Sequence, residues 1–301
     1  MNVIWQYLTK MPFTFLGIIG LSFCAYMCAT ISWRLCMGNH GSKIHLGNLF
    51  VIRHVGEMLS VFNPTSVVAG ETLKAHYLKQ YDIPQEVSVS SILISRILII
   101  LSAIILMVIS VIYLISGSAI DQGIGSIVVA LFVSMGFAYL ITRFFLDKKL
   151  YLHRTFLSLQ KRIGKKWFSD KLCDSVKEIN QTSYLFYKEN KFRFVSGFLL
   201  STVHWIFGAA EFYLILNVLG VEITIANAVA IEMGVILVKA LGAIVPGQVG
   251  VEEYGNKIML NMVGISSNEI WLVVSIMRRA RQLFWALVAA IMYAVLKKRS
   301  K

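Results

Sequence analysis

Long apolar runs alternate with short polar links along the chain, and this pattern predicts an all-α polytopic membrane protein. A helix needs about 20 apolar residues to cross the ~30 Å hydrocarbon core of a bilayer. Five runs meet that requirement and are predicted to be full spans. They are Pro12–Trp33, Ser91–Ile115, a third ending near Phe145, Phe194–Leu219 and Ile270–Leu296.

A further apolar stretch, Ala226–Met262, is interrupted at its centre by the sequence Ala-Ile-Val-Pro-Gly-Gln-Val-Gly-Val-Glu-Glu-Tyr (Ala243–Tyr254). Proline removes a backbone donor, and an ionised carboxylate in hydrocarbon is costly unless it has a partner. Non-helical backbone at membrane depth is tolerated only where protein or a water-filled cavity covers it. We therefore predict a re-entrant or discontinuous helix here, and a functional site at its break.

The same pattern, a proline followed seven residues later by a glutamate, occurs earlier in the chain and predicts an internal repeat. A single offset of 182 residues maps Pro64, Glu71 and Arg96 onto Pro246, Glu253 and Arg278, and Gly38 onto Gly220. The whole chain, 1–301, is then one membrane domain with a second broken segment at Asn63-Pro64. Repeat one covers about 12–116, repeat two about 194–297, and a basic insertion occupies about 147–193.

Composition and charge agree with a membrane protein. Hydrophobic residues make up 57% of the chain, charged residues only 15%, and the formal net charge is +13. Because the basic residues flank apolar segments, they predict contact with anionic lipid head groups rather than with nucleic acid. The stretch 147–193 holds twelve Lys/Arg at helical spacing from large apolar residues. It is predicted to be a helix or helical hairpin on the membrane surface, where a cytoplasmic partner could dock.

The distribution of basic residues predicts the orientation. With 147–193 and the C-terminus in the cytoplasm, 21 of the 29 Lys/Arg lie on the cytoplasmic side and three lie outside. The protein is then a multi-pass protein of the cell's inner (plasma) membrane. The first broken segment enters from the cytoplasm and the second from outside, as in the inverted repeats of many transporters.

The two breaks are the predicted substrate site. Asn63 and Pro64 suit the N-cap and first position of a half-helix, and Pro246-Gly247 is expected to start the matching one. Helix N-termini attract anions, and arginine binds phosphate or carboxylate bidentately. The predicted head-group cavity comprises Asn63, Pro64, Gly70, Glu71, Arg96, Pro246, Gly247, Gly250, Glu252, Glu253, Arg278 and Arg281.

A structural interpretation of the same residues stays open. Glu71 could pair with Lys74, and Glu253 with Lys257, along their own helices, while the arginines extend to lipid head groups. In the same way, Arg53 and Glu57 have the i,i+4 spacing of an ordinary helical ion pair, and this is the favoured interpretation for them.

The fourth span carries a candidate proton relay. His204 and Glu211 lie seven residues apart on one helix face, as do Glu232 and Lys239 in the broken segment. A packed and satisfied pair is an equal alternative in both cases.

Enzyme motifs are absent from the sequence. It contains no serine nucleophile elbow, no His-Glu-x-x-His, no phosphate loop, and no cysteine spacing that fits a metal site. We therefore expect no catalytic residues, no metal and no cofactor.

Three motifs resemble the transmembrane region of the lysylphosphatidylglycerol synthase family, most closely its stand-alone members associated with hopanoid biosynthesis. They are Pro64…Gly70-Glu71…Arg96, Pro246-Gly-Gln-Val-Gly-Val-Glu-Glu253 and Arg278-Arg-Ala-Arg-Gln-Leu-Phe-Trp285. The resemblance extends over most of the chain. Gln282 stands where an acid is expected and Ala69 where a second glycine is expected, which bears on the substrate more than on the fold.

The resemblance implies a function. In multidomain members of the family, the transmembrane part is taken to flip a charged phospholipid made by an attached soluble aminoacyltransferase, which has no counterpart here. We therefore expect a flippase-like protein, not an enzyme, that moves a polar or anionic lipid or a lipid-linked molecule between leaflets. The alternative is a non-transporting scaffold for a lipid-modifying or glycosyl-transferring enzyme. The pattern leaves the lipid, the energy coupling and the oligomeric state open.

The inverted arrangement makes a labelling prediction. In a background without native cysteines, Lys79→Cys and Lys298→Cys should be shielded from a membrane-impermeant thiol reagent in whole cells. Ser267→Cys should be labelled, because it lies on the opposite face. Labelling from outside at both position 79 and position 267 would contradict the inverted topology.

Overall fold

The computed structural model describes residues 12–62, 66–116, 124–164, 169–242 and 245–299, and in these ranges the regular structure is entirely helical. The predicted all-α class is therefore confirmed. In chain order the helices are α1 (Pro12–Cys36), α2 (Leu46–Phe62), α3 (Ser66–Leu78), α4 (Gln85–Ser116), α5 (Ile124–Leu146), α6 (Tyr151–Ile163), α7 (Asp170–Glu189), α8 (Lys191–Val218), α9 (Ile225–Leu241), α10 (Val251–Met262) and α11 (Asn268–Arg299).

Four of these helices, α1, α4, α8 and α11, are long and apolar enough to cross a membrane. The remaining predicted span coincides with α5, which is 23 residues long. Large apolar side chains such as Phe13 and Leu283 point outward and are 85% and 65% exposed. An apolar outer surface of this kind is suited to lipid rather than water.

The helix order follows the spacing of the predicted repeat. Shifted by 182 residues, α4 (85–116) would occupy 267–298, and α11 occupies Asn268–Arg299. The same shift places α1, α2 and α3 within three residues of the starts of α8, α9 and α10. In the described residues, each half thus has a long helix, two shorter helices and a second long helix.

The first helices of the two halves, α1 and α8, make the most extensive helix pair and run antiparallel. Ala25 O lies 2.9 Å from His204 Nδ1, whereas Ser32, further along α1, donates to Gly197 O, earlier along α8, at 2.9 Å. Small residues at this interface let the two backbones approach closely. Antiparallel packing of equivalent helices is what an inverted repeat produces.

The second break lies within the predicted stretch, but the half-helix after it starts later than the predicted Pro246-Gly247. Pro246–Gln248 forms a 3-10 turn, and the half-helix α10 begins only at Val251. The reason is backbone geometry, because Gly247, Gln248 and Gly250 all have positive φ, at 63°, 52° and 82°. A right-handed helix cannot continue through that conformation.

The basic insertion forms a helical hairpin, α6 and α7, as predicted. Helix α7 packs against the span α4, where Phe186 is buried with Ile94 and Leu98. Asn180 ties α7 to the end of α5 by donating to Phe145 O at 2.8 Å. The position of the hairpin at the membrane surface stays a prediction.

Helices α2 and α3 cross at two glycines. A Cβ added to Gly70 would collide with the carbonyl oxygen of Gly56 and with Ser60 Oγ. Gly70, which the sequence assigns to the substrate site, therefore lies at a helix crossing that has no room for a side chain.

This crossing predicts the effect of filling it. Gly70→Ala should lower the free energy of unfolding by about 1–3 kcal/mol, because the backbones must separate. Thermal unfolding of the purified protein in detergent measures the loss. Gly20→Ala in α1 is the matched control, since a Cβ there meets nothing within 4 Å. Equal behaviour of the two variants would contradict the packing role.

Candidate functional site

A first cluster of charges joins α2, α3 and α4. Arg96 donates to Glu71 Oε1 from Nε and to Glu57 Oε2 from Nη2, both at 2.8 Å. Lys74 Nζ lies 2.6 Å from Glu57 Oε1 and 3.1 Å from Glu71 Oε2. The structure therefore brings Glu71 and Arg96 together as the sequence predicts, and adds Glu57 and Lys74.

The ordinary helical pair expected for Arg53 and Glu57 is wrong. Glu57 pairs instead with cations from two other helices, because α3 and α4 pack over the face of α2 that carries it. Lys74 is only 3% exposed, and its ammonium lies 5.9 Å from the centre of the Trp33 ring. A lysine buried to this degree needs a carboxylate partner, which explains why Glu57 is drawn to it.

A second cluster surrounds Arg278, which is 2% exposed and so does not extend to the membrane surface. Its guanidinium lies 3.0 Å from Glu232, 3.2 Å from Glu252 and 3.6 Å from Glu211. It also stacks over the Phe212 ring, at 4.2 Å from the ring centre. One cation is thus shared among carboxylates from α8, α9 and α10.

The second cluster extends to both sides of Arg278. Arg281 pairs with Glu211, Lys239 Nζ lies 3.1 Å from Glu252, and Gln282 also donates to Glu252. Three carboxylates (Glu211, Glu232 and Glu252) and three cations (Lys239, Arg278 and Arg281) therefore balance within one buried group.

By the 182-residue offset, Glu253 is expected to pair with Arg278 as Glu71 does with Arg96, and this expectation is wrong. Glu253 accepts a hydrogen bond from Arg279 Nε at 2.9 Å and another from the Gly250 N–H at 2.8 Å. Because α10 begins at Val251, Glu253 falls in its first turn and caps it. The adjacent Glu252, on the inner face of α10, takes the place beside Arg278.

The alternative in which each glutamate pairs with a lysine of its own helix is observed for Glu71 but not for Glu253. Glu71 does contact Lys74 along its own helix, in addition to Arg96. Glu253 does not use Lys257, whose ammonium lies over the Trp271 ring at 4.8 Å.

Arg279, which the sequence did not assign to the site, holds the loop before α10, residues 246–250, here called the break loop. Its Nη1 donates to Gly247 O at 3.2 Å. The other predicted break, Asn63-Pro64, lies outside the described residues. Pro246 opens the 3-10 turn that carries Gly247.

The two members of the candidate proton relay line the same cavity, but each has another partner. His204 Nδ1 contacts Ala25 O, and Glu211 pairs with Arg281. The relay itself stays a prediction.

A polar cavity of about 370 Å³ lies between α1, α8, α9 and α11, against the second cluster. Four buried atoms of residues that line it have no hydrogen-bond partner, namely Glu211 Oε1, Glu232 Oε2, Arg278 Nη1 and Arg281 Nε. Acceptors and donors left unsatisfied in one place are costly unless a ligand or water completes them. Its charged and polar lining includes Tyr26, His204, Glu232, Lys239, Gln248 and Arg278.

A second, more apolar pocket of about 500 Å³ adjoins this cavity. The two share Tyr26, Lys239, Gln248 and Arg281 as lining residues. Val249 also lines the second pocket and is 69% exposed on the outer surface of the protein. The polar cavity therefore adjoins a more apolar pocket that reaches the outer surface of the protein.

The sequence predicts one cavity, whereas the structure has two separate charge clusters. Aromatic rings from three helices also meet in this part of the protein, where the rings of His54 and Tyr26 lie 5.0 and 5.2 Å from that of Trp285. His54 Nε2 also lies 3.1 Å from Trp285 O. Glu71 and Arg96 thus belong to one cluster, and Arg278 belongs to the other.

Several residues of the clusters were outside the predicted site, and a simple signal could have found them. Glu57, Lys74, Glu232 and Lys239 are ionisable residues within apolar helices. An ionisable residue inside a membrane segment is a functional candidate by default, whether or not it fits a repeat.

The observed pairs predict a pattern of energetic coupling. In a double-mutant cycle, Glu253→Gln with Arg279→Gln should show a coupling of about 0.5–3 kcal/mol in thermal stability, because the two side chains are in contact. Glu253→Gln with Arg278→Gln is the matched control and should be additive. Coupling to Arg278 with none to Arg279 would restore the partnership predicted from the sequence.

Comparison with known proteins agrees with this architecture. No curated protein and no solved structure matches the chain. The family model described as "Lysylphosphatidylglycerol synthase TM region" matches residues 1–291 of the 301. A chain with membrane-spanning helices and a match over nearly all its length is a member of that family, and this protein belongs to the lysylphosphatidylglycerol synthase transmembrane-region family of lipid-related membrane proteins.

Proposed function

We propose that the protein moves a polar lipid between the leaflets of the inner membrane, with its C-terminus in the cytoplasm. The head group would occupy the polar cavity between α1, α8, α9 and α11, while the acyl chains stay outside in the adjoining apolar pocket. The protein acts as a carrier rather than as an enzyme in this proposal.

The observation that carries the proposal is the set of unsatisfied atoms on the charged residues that line the cavity. Among them, Arg281 Nε is a donor without a partner that suits the phosphate of a lipid, and Glu211 Oε1 is an acceptor without a partner that suits a hydroxyl or an amine. Lipid head groups combine such donors and acceptors.

The charge balance of the cavity supports translocation as well as binding. Moving a charged head group across hydrocarbon is prohibitively costly without fixed partners at depth. The second cluster supplies both signs of charge on rigid helices. These groups can replace part of the water that the head group loses.

The connection to the apolar pocket supports entry from the bilayer. Gln248 lies on the break loop between the two spaces, and its Nε2 contacts Lys239 O at 3.4 Å. A small movement of this loop would join the polar cavity to the pocket. This position gives the broken helix a role in admitting the head group.

The second candidate function is a scaffold for a lipid-modifying enzyme. It is favoured by the basic hairpin α6–α7, which is outside both clusters and packs on α4 and α5 through a minority of its residues. In that case the partner would bind at the exposed basic face.

A leaflet-exchange assay tests the proposal. In liposomes containing a head-group-reporter phospholipid, the wild-type protein should speed exchange. Glu211→Gln with Arg281→Gln should slow it roughly tenfold or more, because a hydrogen bond to a charged group is worth about 1.5–3 kcal/mol.

The control is an ion pair of the same chemistry outside the cavity, Arg143→Gln with Asp147→Asn, whose wild-type groups lie 2.9 Å apart. This variant should exchange lipid at the wild-type rate. Wild-type exchange in the Glu211/Arg281 double variant would contradict the cavity as the route. No exchange by folded wild-type protein with any polar lipid would favour the scaffold.

A further inference from the structure

A groove between α3 and α4 leads from the surface to the first charge cluster. It consists of two adjoining pockets of about 600 and 350 Å³ that share Thr72, Ala75 and Gln85. Gln85 and Arg96 are eleven residues apart on α4, which is a distance of about 16 Å along the helix at ~1.5 Å per residue. The groove shares no lining residue with the polar cavity beside the second cluster.

The mouth of the groove is basic. His76 and Lys79 line it, together with Asp82, and both basic side chains are exposed. Lys43 lies at the same place, because its ammonium donates to Asp82 O at 2.8 Å. Two lysines against one aspartate leave one excess positive charge at the mouth.

The inner end of the groove carries charges of both signs. Arg96 and Glu71 line it, and their side chains keep 34% and 23% exposure. Behind them, Lys74 and Glu57 complete the first cluster, in which two cations face two carboxylates. The inner end is therefore balanced in charge, and the excess positive charge lies at the mouth.

Between these ends the wall is apolar. Val68, Val89, Ile92 and Leu93 line the inner pocket, and Val68 is 71% exposed at its rim. An occupant must therefore offer an anionic group to the basic mouth and a hydrocarbon part to the wall. A soluble anion satisfies only the first requirement, whereas an anionic phospholipid satisfies both.

We propose that the groove between α3 and α4 is a second lipid site that binds an anionic phospholipid, with its phosphate beside Lys79 and His76 and its hydrocarbon along α4. The proposal rests on the proposed function only in taking lipid as the ligand class. The protein then has two lipid sites, one in which the charges balance and one with a positively charged mouth.

Photo-crosslinking with phosphatidylglycerol that carries a diazirine near the glycerol tests this site in the full-length protein. Mass spectrometry of peptides should find crosslinks on 66–78 and 85–96. A phosphatidylcholine probe with the same diazirine should label these peptides about fivefold less, the factor that one basic residue near an anionic head group is worth. Equal labelling by the two probes would overturn the proposal.

Substitutions at Lys79 and Thr72 test whether the labelling comes from this groove. Lys79→Gln should reduce labelling by phosphatidylglycerol about fivefold, and Lys79→Arg should preserve it. Thr72→Phe, at an exposed position shared by both pockets, should block the groove and remove most of the labelling. Ala240→Phe, exposed and lining the other cavity, is the matched control and should leave these peptides labelled.

Retained labelling in Thr72→Phe, or loss of it in Ala240→Phe alone, would overturn the assignment to this groove. Competition with unlabelled glycerol phosphate separates a lipid from a free anion, and displacement by it as effective as by unlabelled phosphatidylglycerol would also overturn the proposal. These readouts measure binding. A failed crosslink therefore leaves the leaflet-exchange result unaffected, and failed exchange leaves the crosslink intact.

Discussion

Pairing of buried charge is the constraint on which the rest of this structure depends. An isolated ion in a low-dielectric interior is costly enough that each buried cation must have a carboxylate nearby. Arg278 satisfies this condition with three carboxylates from α8, α9 and α10, so those helices and α11 are held in one arrangement. Lys74 and Arg96 do the same for α2, α3 and α4.

The antiparallel helix pair α1 and α8 joins the two halves of the protein that carry these two charge clusters. Its small side chains allow close approach, and hydrogen bonds such as Ser32 to Gly197 connect the halves. The polar cavity opens along this seam, with Tyr26 from α1 on one side and His204 from α8 on the other. A functional cavity at the interface between two halves suits transport, because relative movement of the halves would change its access.

The two halves share a helix order but differ in charge, and this difference has a sequence basis. Adding 182 to Glu57 gives position 239, which is Lys239, and adding 182 to Lys74 gives position 256, which is Asn256. Glu232 and Glu252 have apolar or glycine counterparts, Phe50 and Gly70. A shared scaffold therefore carries two sites of different electrostatic character, and the halves have separate chemistry even though they have one architecture.

The sequence by itself determined the all-helical membrane class, the long spans and the helical hairpin, because apolar length and periodicity report directly on helices in a bilayer. It also identified the Glu71–Arg96 contact and the importance of the second break. Only the tertiary structure decided which side chains meet. Starting α10 at Val251 rotates Glu252 inward and leaves Glu253 to cap the helix, a choice made by the positive φ of Gly250. The grouping of the charges into two clusters likewise depends on how distant helices pack, and such contacts leave no local signal in a single sequence.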